Sequence, residues 1–243
     1  MSKLSIVKQI PFNVLVKRIV KKFFPAQKIN YAIQDLRKPA SNYTLDSLLD
    51  VAEINEPINQ SVIHHYLKHE FDLLGSGWVS RNSSKRLSLN ELQQFFAEKL
   101  FKYIADDYQF INWQLDVRSG FEFNNNKQFD NQTIDQSKNV DIKNCWELGR
   151  LQHLPQLAIA AINTENKAEL IQEFKNQSLD FIVSNPIGMG VQWACSMDVG
   201  IRVSNLLVAY DILKQVDFDN FLNDEFTLIF TKTRGTNGDV ARP

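Results

Sequence analysis

Three polar residues lie at helical spacing within a stretch that is otherwise apolar. The stretch is "NPIGMGVQWACSMDVGIRVSNLLVAYDIL", Asn185 to Leu213, and the three residues are Asp198, Arg202 and Asn205. Spacings of four and three place them on one stripe of a helix. A charge in apolar surroundings must be paired, and aspartate four residues before arginine is the favourable order for an intrahelical pair. The sequence predicts a structural polar seam between packed helices, or else a seam that faces a cleft for acidic ligands.

A second polar group lies in "WELGRLQHL", Trp146 to Leu154. Glu147 and Arg150 are three apart and can pair along a helix. Gln152 adds an amide, and Trp146 offers a flat ring of the kind on which sugars stack. An exposed ion pair beside an apolar stripe explains the same residues equally well.

Three of the four histidines crowd into "HHYLKHE". On a helix His65 and His69 share a face, which is the spacing of two zinc ligands. Tyr66 follows His65 where the HExxH motif has glutamate, and Glu70 is expected to point elsewhere. We therefore expect hydrogen-bonding histidines and no metal site. The chain contains neither GxGxxG nor GxxxxGK[ST], so we expect no cofactor.

The elements that must position these residues are predicted to be helices. Apolar residues recur at helical spacing from residue 144 onward, without any strand–helix alternation. The sequence predicts an all-α fold, an incomplete α/α toroid of helical hairpins, with a long irregular segment around 107–143. The predicted divisions are a basic amphipathic arm at 1–40, the toroid at 41–230 and a polar tail at 231–243 that does not look native.

Composition narrows the classes of partner. The chain has 243 residues, 44% of them hydrophobic, and a formal net charge of −1. Near-neutrality argues against a nucleic-acid binder. The first 40 residues interleave lysines with apolar residues, as a helix in weak contact with a membrane surface would, although a helix laid on its own domain fits too. We see no secretory signal peptide. Cys145 and Cys195 are expected to be free thiols.

Two stretches resemble a known family. "DIKNCWELGRLQHLPQLAIAA" and "NPIGMGVQWACSMDVGIRVSNLLVAYDIL" resemble the N-terminal helical region of the heparinase II/III-like polysaccharide lyases. That region typically reads W-E-x-x-R-x-Q-H and then N-P-x-G-x-G-x-N-W-x-x-x-M-[DE]-x-x-I-R-x-x-N. "HEFDLLGSGW" and "WQLDVRSGFEF" look like earlier landmarks of it. Gln192 stands where the pattern usually has asparagine and keeps the amide.

The resemblance implies a lyase that cleaves an acidic, uronate-containing polysaccharide by β-elimination, often outside the cytoplasm, in the periplasm or cell envelope. It implies no catalytic residue in the matched part and a missing C-terminal β-sandwich domain, so the chain is expected to be truncated or frame-shifted and inactive alone. The expected substrate-binding residues are Trp146, Glu147, Arg150, Gln152, Gln192, Trp193 and Arg202, with Asp198 and Asn205 in the structural seam.

Two other functions compete with this expectation. A helical-toroid glycoside hydrolase would need two carboxyl groups, for which Glu147 and Asp198 are candidates. Each of them has an arginine neighbour that favours the ionised form, which does not suit a general acid. The third candidate is a non-catalytic helical protein for glycan binding or assembly.

Overall fold

The computed structural model describes residues 47–55, 57–83, 94, 97–98, 100–133, 139–223 and 226. All of them belong to the unit Ala40–Pro243. The predicted basic arm at 1–40 and the predicted polar tail at 231–243 lie outside the described residues. Within the described part, no helix has the length and hydropathy needed to cross a bilayer.

Helices and short strands both occur in the described part. The α-helices are α1 (Gln60–Leu67), α2 (Lys143–Gly149), α3 (His153–Ile162), α4 (Lys167–Ser184) and α5 (Ser196–Val216). The strands are β1 (Glu70–Asp72), β2 (Trp78–Ser80), β3 (Leu115–Asp116) and β4 (Phe121–Glu122). Single 3-10 turns cover Val51–Glu53, Phe101–Tyr103 and Phe129–Asn131.

The strands form two antiparallel hairpins. β1 pairs with β2 in the register Glu70 with Ser80 and Asp72 with Trp78, and β3 pairs with β4. The fold is therefore mixed α and β, and the prediction of an all-α toroid is wrong. The segment around 107–143, predicted to be irregular, contains the second hairpin.

Backbone geometry explains why α1 does not continue through the "HEF" of its sequence. Asn59 begins the helix, because its side chain accepts a hydrogen bond from the Ser61 backbone N–H at 3.0 Å. The helix ends at Leu67, and His69 takes a left-handed conformation with φ 55°. A left-handed residue directs the chain out of the helix, here into β1. Leu74, Gly75 and Gly77 also have positive φ and turn β1 back toward β2.

The core is centred on α3. Leu154, Leu157, Ala158 and Ala161 are fully buried there, and the helix packs most extensively against α5 and then against α4. Leu151, with φ 56°, separates α2 from α3. Pro155 falls in the first turn of α3, where its missing N–H has no intrahelical partner to lose.

Gly149 lets α2 approach the loop that precedes α5. A Cβ at position 149 would overlap the Oε1 atom of Gln192. The Gln192 side chain cannot simply swing away, because it is fully buried and its Nε2 donates to the carbonyls of Trp113 at 2.9 Å and Cys145 at 3.0 Å. The two motifs of the sequence therefore meet at a glycine that faces an amide.

We expect Gly149→Ala to destabilise the protein by roughly 2 kcal/mol, because overpacking outweighs the gain of up to about 1 kcal/mol that alanine brings to an exposed helix. In the Gln192→Asn background the shorter side chain leaves room, so the same substitution should cost less. Urea unfolding of the four proteins measures this coupling. Equal costs in the two backgrounds would show that Gln192 is not what excludes the methyl group.

Candidate functional site

The sequence-predicted residues of α2 and α5 meet, but in different pairs from those expected. Arg150 lies between two carboxylates: its Nε donates to Asp198 Oδ1 at 2.7 Å and its Nη1 donates to Glu147. Asn205 Nδ2 donates to the Arg150 carbonyl at 2.8 Å. The predicted intrahelical pair of Asp198 with Arg202 is wrong, because Asp198 pairs across helices with Arg150 instead.

Arg202 is an interior group. Arg202 is only 1% exposed. Its guanidinium donates to the carbonyls of Gly149 at 2.5 Å and Gln192 at 2.9 Å. The same group lies over the rings of Phe181 at 4.4 Å and Trp193 at 5.2 Å. Burial lowers the pKa of Arg202 to about 9, against the charge of Asp198, so it remains a cation at neutral pH.

The remaining predicted residues differ in exposure. The Trp146 Nε1 donates to the Val191 carbonyl at 2.9 Å, and the buried Trp193 donates to the Asn185 carbonyl at 3.2 Å. Gln152 is exposed, and Trp146, Glu147 and Arg150 are partly exposed. The predicted substrate-binding residues thus join α2 and the residue after it to α5 and the loop before α5. Their role in sugar binding stays a prediction.

A different set of polar residues lines a cleft of about 590 Å³ between the first hairpin, the turn after Phe101–Tyr103 and α4. We call it the α4 cleft. Its lining residues are Leu67, Lys68, His69, Glu70, Ser80, Asn82, Ala105, Asp107, Tyr108, Gln109, Glu169, Gln172, Glu173 and Asn176. A volume of this size lies within the range of small-molecule sites, and most of the lining carries hydrogen-bonding groups.

An ion pair forms one wall of the α4 cleft. His69 Nε2 is 2.8 Å from Glu173 Oε1, and the two residues are 4% and 8% exposed. The Glu173 carboxylate also accepts from Gln177 Nε2 at 2.6 Å and, over a longer 3.4 Å, from Asn176 Nδ2. A buried carboxylate needs such partners, since an unpaired one costs several kcal/mol.

The partners of His69 require its charged form. Asn82 donates through Nδ2 to the Lys68 carbonyl, so its Oδ1, 2.7 Å from His69 Nδ1, is an acceptor. Acceptors therefore face both ring nitrogens, and only an imidazolium donates to both. Burial lowers the pKa of His69, but Glu173 and Asn82 outweigh it and the net pKa is raised. With both nitrogens engaged, His69 is not a free general base.

A second histidine of this network is neutral. His153 Nε2 lies 2.6 Å from Gln177 Oε1, and Gln177 passes the chain of hydrogen bonds on to Glu173. Burial and the nearby charge of His69 together lower the pKa of His153 to about 4, against the hydrogen bond with Gln177. The "RLQH" stretch is thus connected to the α4 cleft through α4.

Asp180 on α4 fixes Tyr108, which lines the α4 cleft. Its Oδ2 accepts from the Tyr108 hydroxyl at 2.9 Å and from the Ile111 backbone N–H at 2.8 Å. Burial raises the pKa of Asp180 to about 6, against hydrogen bonds from Ser184 and these two groups. Tyr108 packs edge-on against the His69 ring, with centroids 4.9 Å apart. The tyrosine is therefore fixed by its ring and by its hydroxyl.

The charge of the α4 cleft is negative. Four carboxylates line it, namely Glu70, Asp107, Glu169 and Glu173, against Lys68 and the His69 imidazolium. Such a lining favours ligands rich in hydroxyl groups over densely anionic ones. The cluster of Glu147, Arg150 and Asp198 likewise contains two acids and one cation.

The histidine cluster is divided by the fold. His65 Nδ1 is 2.6 Å from Glu70 Oε2, whereas His69 faces Glu173. The expected shared face of His65 and His69 is therefore wrong, and so is the expectation that Glu70 points elsewhere, because both residues 69 and 70 lie beyond the helix. Among the described residues, no three His, Cys, Asp or Glu side chains gather as a metal site requires. Cys145 and Cys195 are free.

Sequence reasoning missed the α4 wall, although the sequence carries a signal for it. Glu173, Gln177 and Asp180 are spaced four and three apart, the same spacing that singled out Asp198, Arg202 and Asn205. His69 and Tyr108 come from distant segments and carry no such signal.

Comparisons with models of protein families, with curated proteins and with solved structures found no match.

The charge state of His69 makes stability depend on pH. Because its pKa is raised on folding, the pair with Glu173 contributes fully below the ordinary value of 6.5, and the contribution is lost as pH rises through the folded pKa. Urea unfolding at about pH 6 and about pH 9 should show a larger loss for the native sequence than for His69→Gln. His64→Gln, at an exposed histidine, is the control and should behave like the native sequence. An unchanged pH dependence in His69→Gln would contradict the imidazolium assignment.

Proposed function

We propose that this chain carries the substrate-binding region of a polysaccharide lyase that cleaves a uronate-containing glycan by β-elimination. The α4 cleft is where the sugar chain lies in this proposal. The single observation that carries the site is the cleft itself, with a rigid wall of His69, Glu173 and Tyr108 and a lining of amides and carboxylates. Sugar hydroxyls both donate and accept, so they suit such a lining.

The lyase part of the proposal is supported by the way its motifs are bonded. The landmark that begins at His69 reaches the motif that contains His153 through Glu173 and Gln177. That motif in turn bonds to the next one through Trp146, Gln192 and Arg202. The stretches that resemble the lyases are therefore bonded into one framework, and its first stretch contributes His69 and Glu70 to the lining of the α4 cleft.

The hydrolase alternative receives less support. Glu147 and Asp198, its candidate carboxyl groups, contact the same guanidinium of Arg150. A hydrolase needs one protonated acid and one ionised carboxylate, separated by a gap that holds the sugar. The Arg150 guanidinium contacts both carboxylates and so occupies that gap.

The negative charge of the α4 cleft favours glycans with few anionic groups. A chain with one carboxylate per disaccharide can place it near Lys68 and direct neutral sugars at the acids, whereas a heavily sulfated chain meets the acids throughout. We therefore expect a hyaluronan hexasaccharide to bind more tightly than a heparin-derived hexasaccharide in calorimetry. Tighter binding of the heparin-derived oligomer would contradict the α4 cleft as the site and favour an arginine-based site.

Substitutions in the cleft should act according to charge. Glu169→Gln and Asp107→Asn each remove an exposed acid of the lining, so each should strengthen hyaluronan binding by about threefold at low salt. Lys68→Gln should weaken it to a similar degree. Glu53→Gln changes an exposed acid outside the lining and is the matched control. Identical affinities in all five proteins would exclude the cleft.

The reaction type has its own measurement. Because the chain alone is expected to be inactive, hyaluronan and polygalacturonate are incubated with a full-length relative that carries the same motifs. Ultraviolet absorbance is followed, because β-elimination leaves an unsaturated uronate that absorbs. New reducing ends without that absorbance would contradict the lyase proposal and favour hydrolysis.

A further inference from the structure

One tryptophan differs from the other three in its exposure. Trp113 and Trp193 are buried and Trp146 is half-buried, whereas Trp78 is 41% exposed. Single exposed apolar residues are common on protein surfaces. The exposure of Trp78 becomes informative through its fixed orientation and its position beside the α4 cleft.

The ring of Trp78 is held in place by its neighbours. The His65 imidazole stacks on it with centroids 4.1 Å apart and an angle of 6° between the planes. His65 is in turn fixed by Glu70 at 2.6 Å, and Tyr66 meets the indole edge-on at 5.9 Å. One face of the indole is thus covered, and the ring loses little further freedom when a ligand binds. We call His65, Glu70 and Trp78 the tryptophan platform.

The register of the first hairpin places the platform next to the cleft. Glu70 pairs with Ser80 and Asp72 pairs with Trp78, so these four side chains share one face of the hairpin. Glu70 and Ser80 also line the α4 cleft. The platform therefore continues the cleft along the hairpin and shares Glu70 with it.

We propose that the tryptophan platform is a second sugar-binding subsite, at which one pyranose ring of the glycan in the α4 cleft stacks on Trp78. This inference rests on the proposed glycan binding. The flat indole suits the apolar C–H face of a pyranose, while the hydroxyls at the rim of that sugar meet Glu70 and Ser80.

The surroundings of Trp78 favour a sugar over a protein partner. An anchor for a protein interface normally lies in an apolar, desolvated patch. The neighbours of Trp78 on the hairpin face are Asp72, Ser80 and Glu70. A polar rim around one fixed aromatic ring matches a ligand that is itself apolar on its faces and polar at its edges.

The test uses the length of the oligosaccharide. A hyaluronan disaccharide fits within the cleft, whereas a hexasaccharide reaches the platform as well. Trp78→Ala should weaken hexasaccharide binding on the order of tenfold and leave disaccharide binding unchanged. Trp78→Phe keeps a flat ring and should recover most of the loss. Phe129→Ala, at an aromatic residue 42% exposed that does not line the cleft, is the matched control and should bind like the native sequence.

Fluorescence gives an independent readout. Hexasaccharide binding should alter tryptophan emission and protect it from iodide quenching in the native sequence, and Trp78→Phe should abolish the change while it still binds in calorimetry.

The outcomes separate this inference from the proposed function. Equal hexasaccharide affinities for Trp78→Ala and the native sequence, together with the expected effects of Lys68→Gln and Glu169→Gln, would overturn the platform and leave the cleft standing. Failure of the native sequence to bind either oligomer would overturn the glycan proposal and the platform with it.

Discussion

The carboxylate of Glu173 is the interaction on which the described structure depends. It lies in the interior on α4 and receives hydrogen bonds from His69 and Gln177. Ionised carboxylates tolerate burial only with such partners, and here the partners come from two parts of the chain. The requirement fixes the turn after α1 against the middle of α4, and it brings the first hairpin to the mouth of the cleft.

This constraint also sets the charge of two histidines in opposite ways. His69 faces two acceptors and carries a proton on each nitrogen, whereas His153, which is also buried and lies near that charge, is neutral. The two histidines are joined by a chain of hydrogen bonds through Glu173 and Gln177, and only the histidine at the His69 end is charged. A buried network of this type tends to rigidify its surroundings when every member is satisfied. The α4 cleft therefore has a preformed wall, and the platform beside it is held by a separate histidine–glutamate contact.

How much of the molecule could be predicted from sequence depended on the range of the contacts. The long helices α4 and α5 follow from apolar spacing. The contact of residues 146–154 with the loop before α5 and with α5 itself was not predicted from their polar residues. The hairpins could not be predicted, because strands of two or three residues give no period. Nor could the left-handed His69, since a helical reading of "HHYLKHE" is locally consistent. The partners of Asp198 and Arg202 are Arg150, Gly149 and Gln192, all outside α5, and no spacing within α5 reveals them.

His69 performs two tasks that different amino acids would do better. Its backbone, at φ 55°, forms the junction of helix and strand, for which glycine or asparagine is better suited. Its ring supplies two donors to opposite walls of a cavity, which neither of those residues can do. Replacing His69 by glycine or asparagine would suit the left-handed backbone but remove the hydrogen bonds to Asn82 and Glu173. A residue with a similar ring would keep the unfavourable backbone conformation. Changing His69 therefore alters the corner of the chain and the charge beside it together, because one residue supplies both.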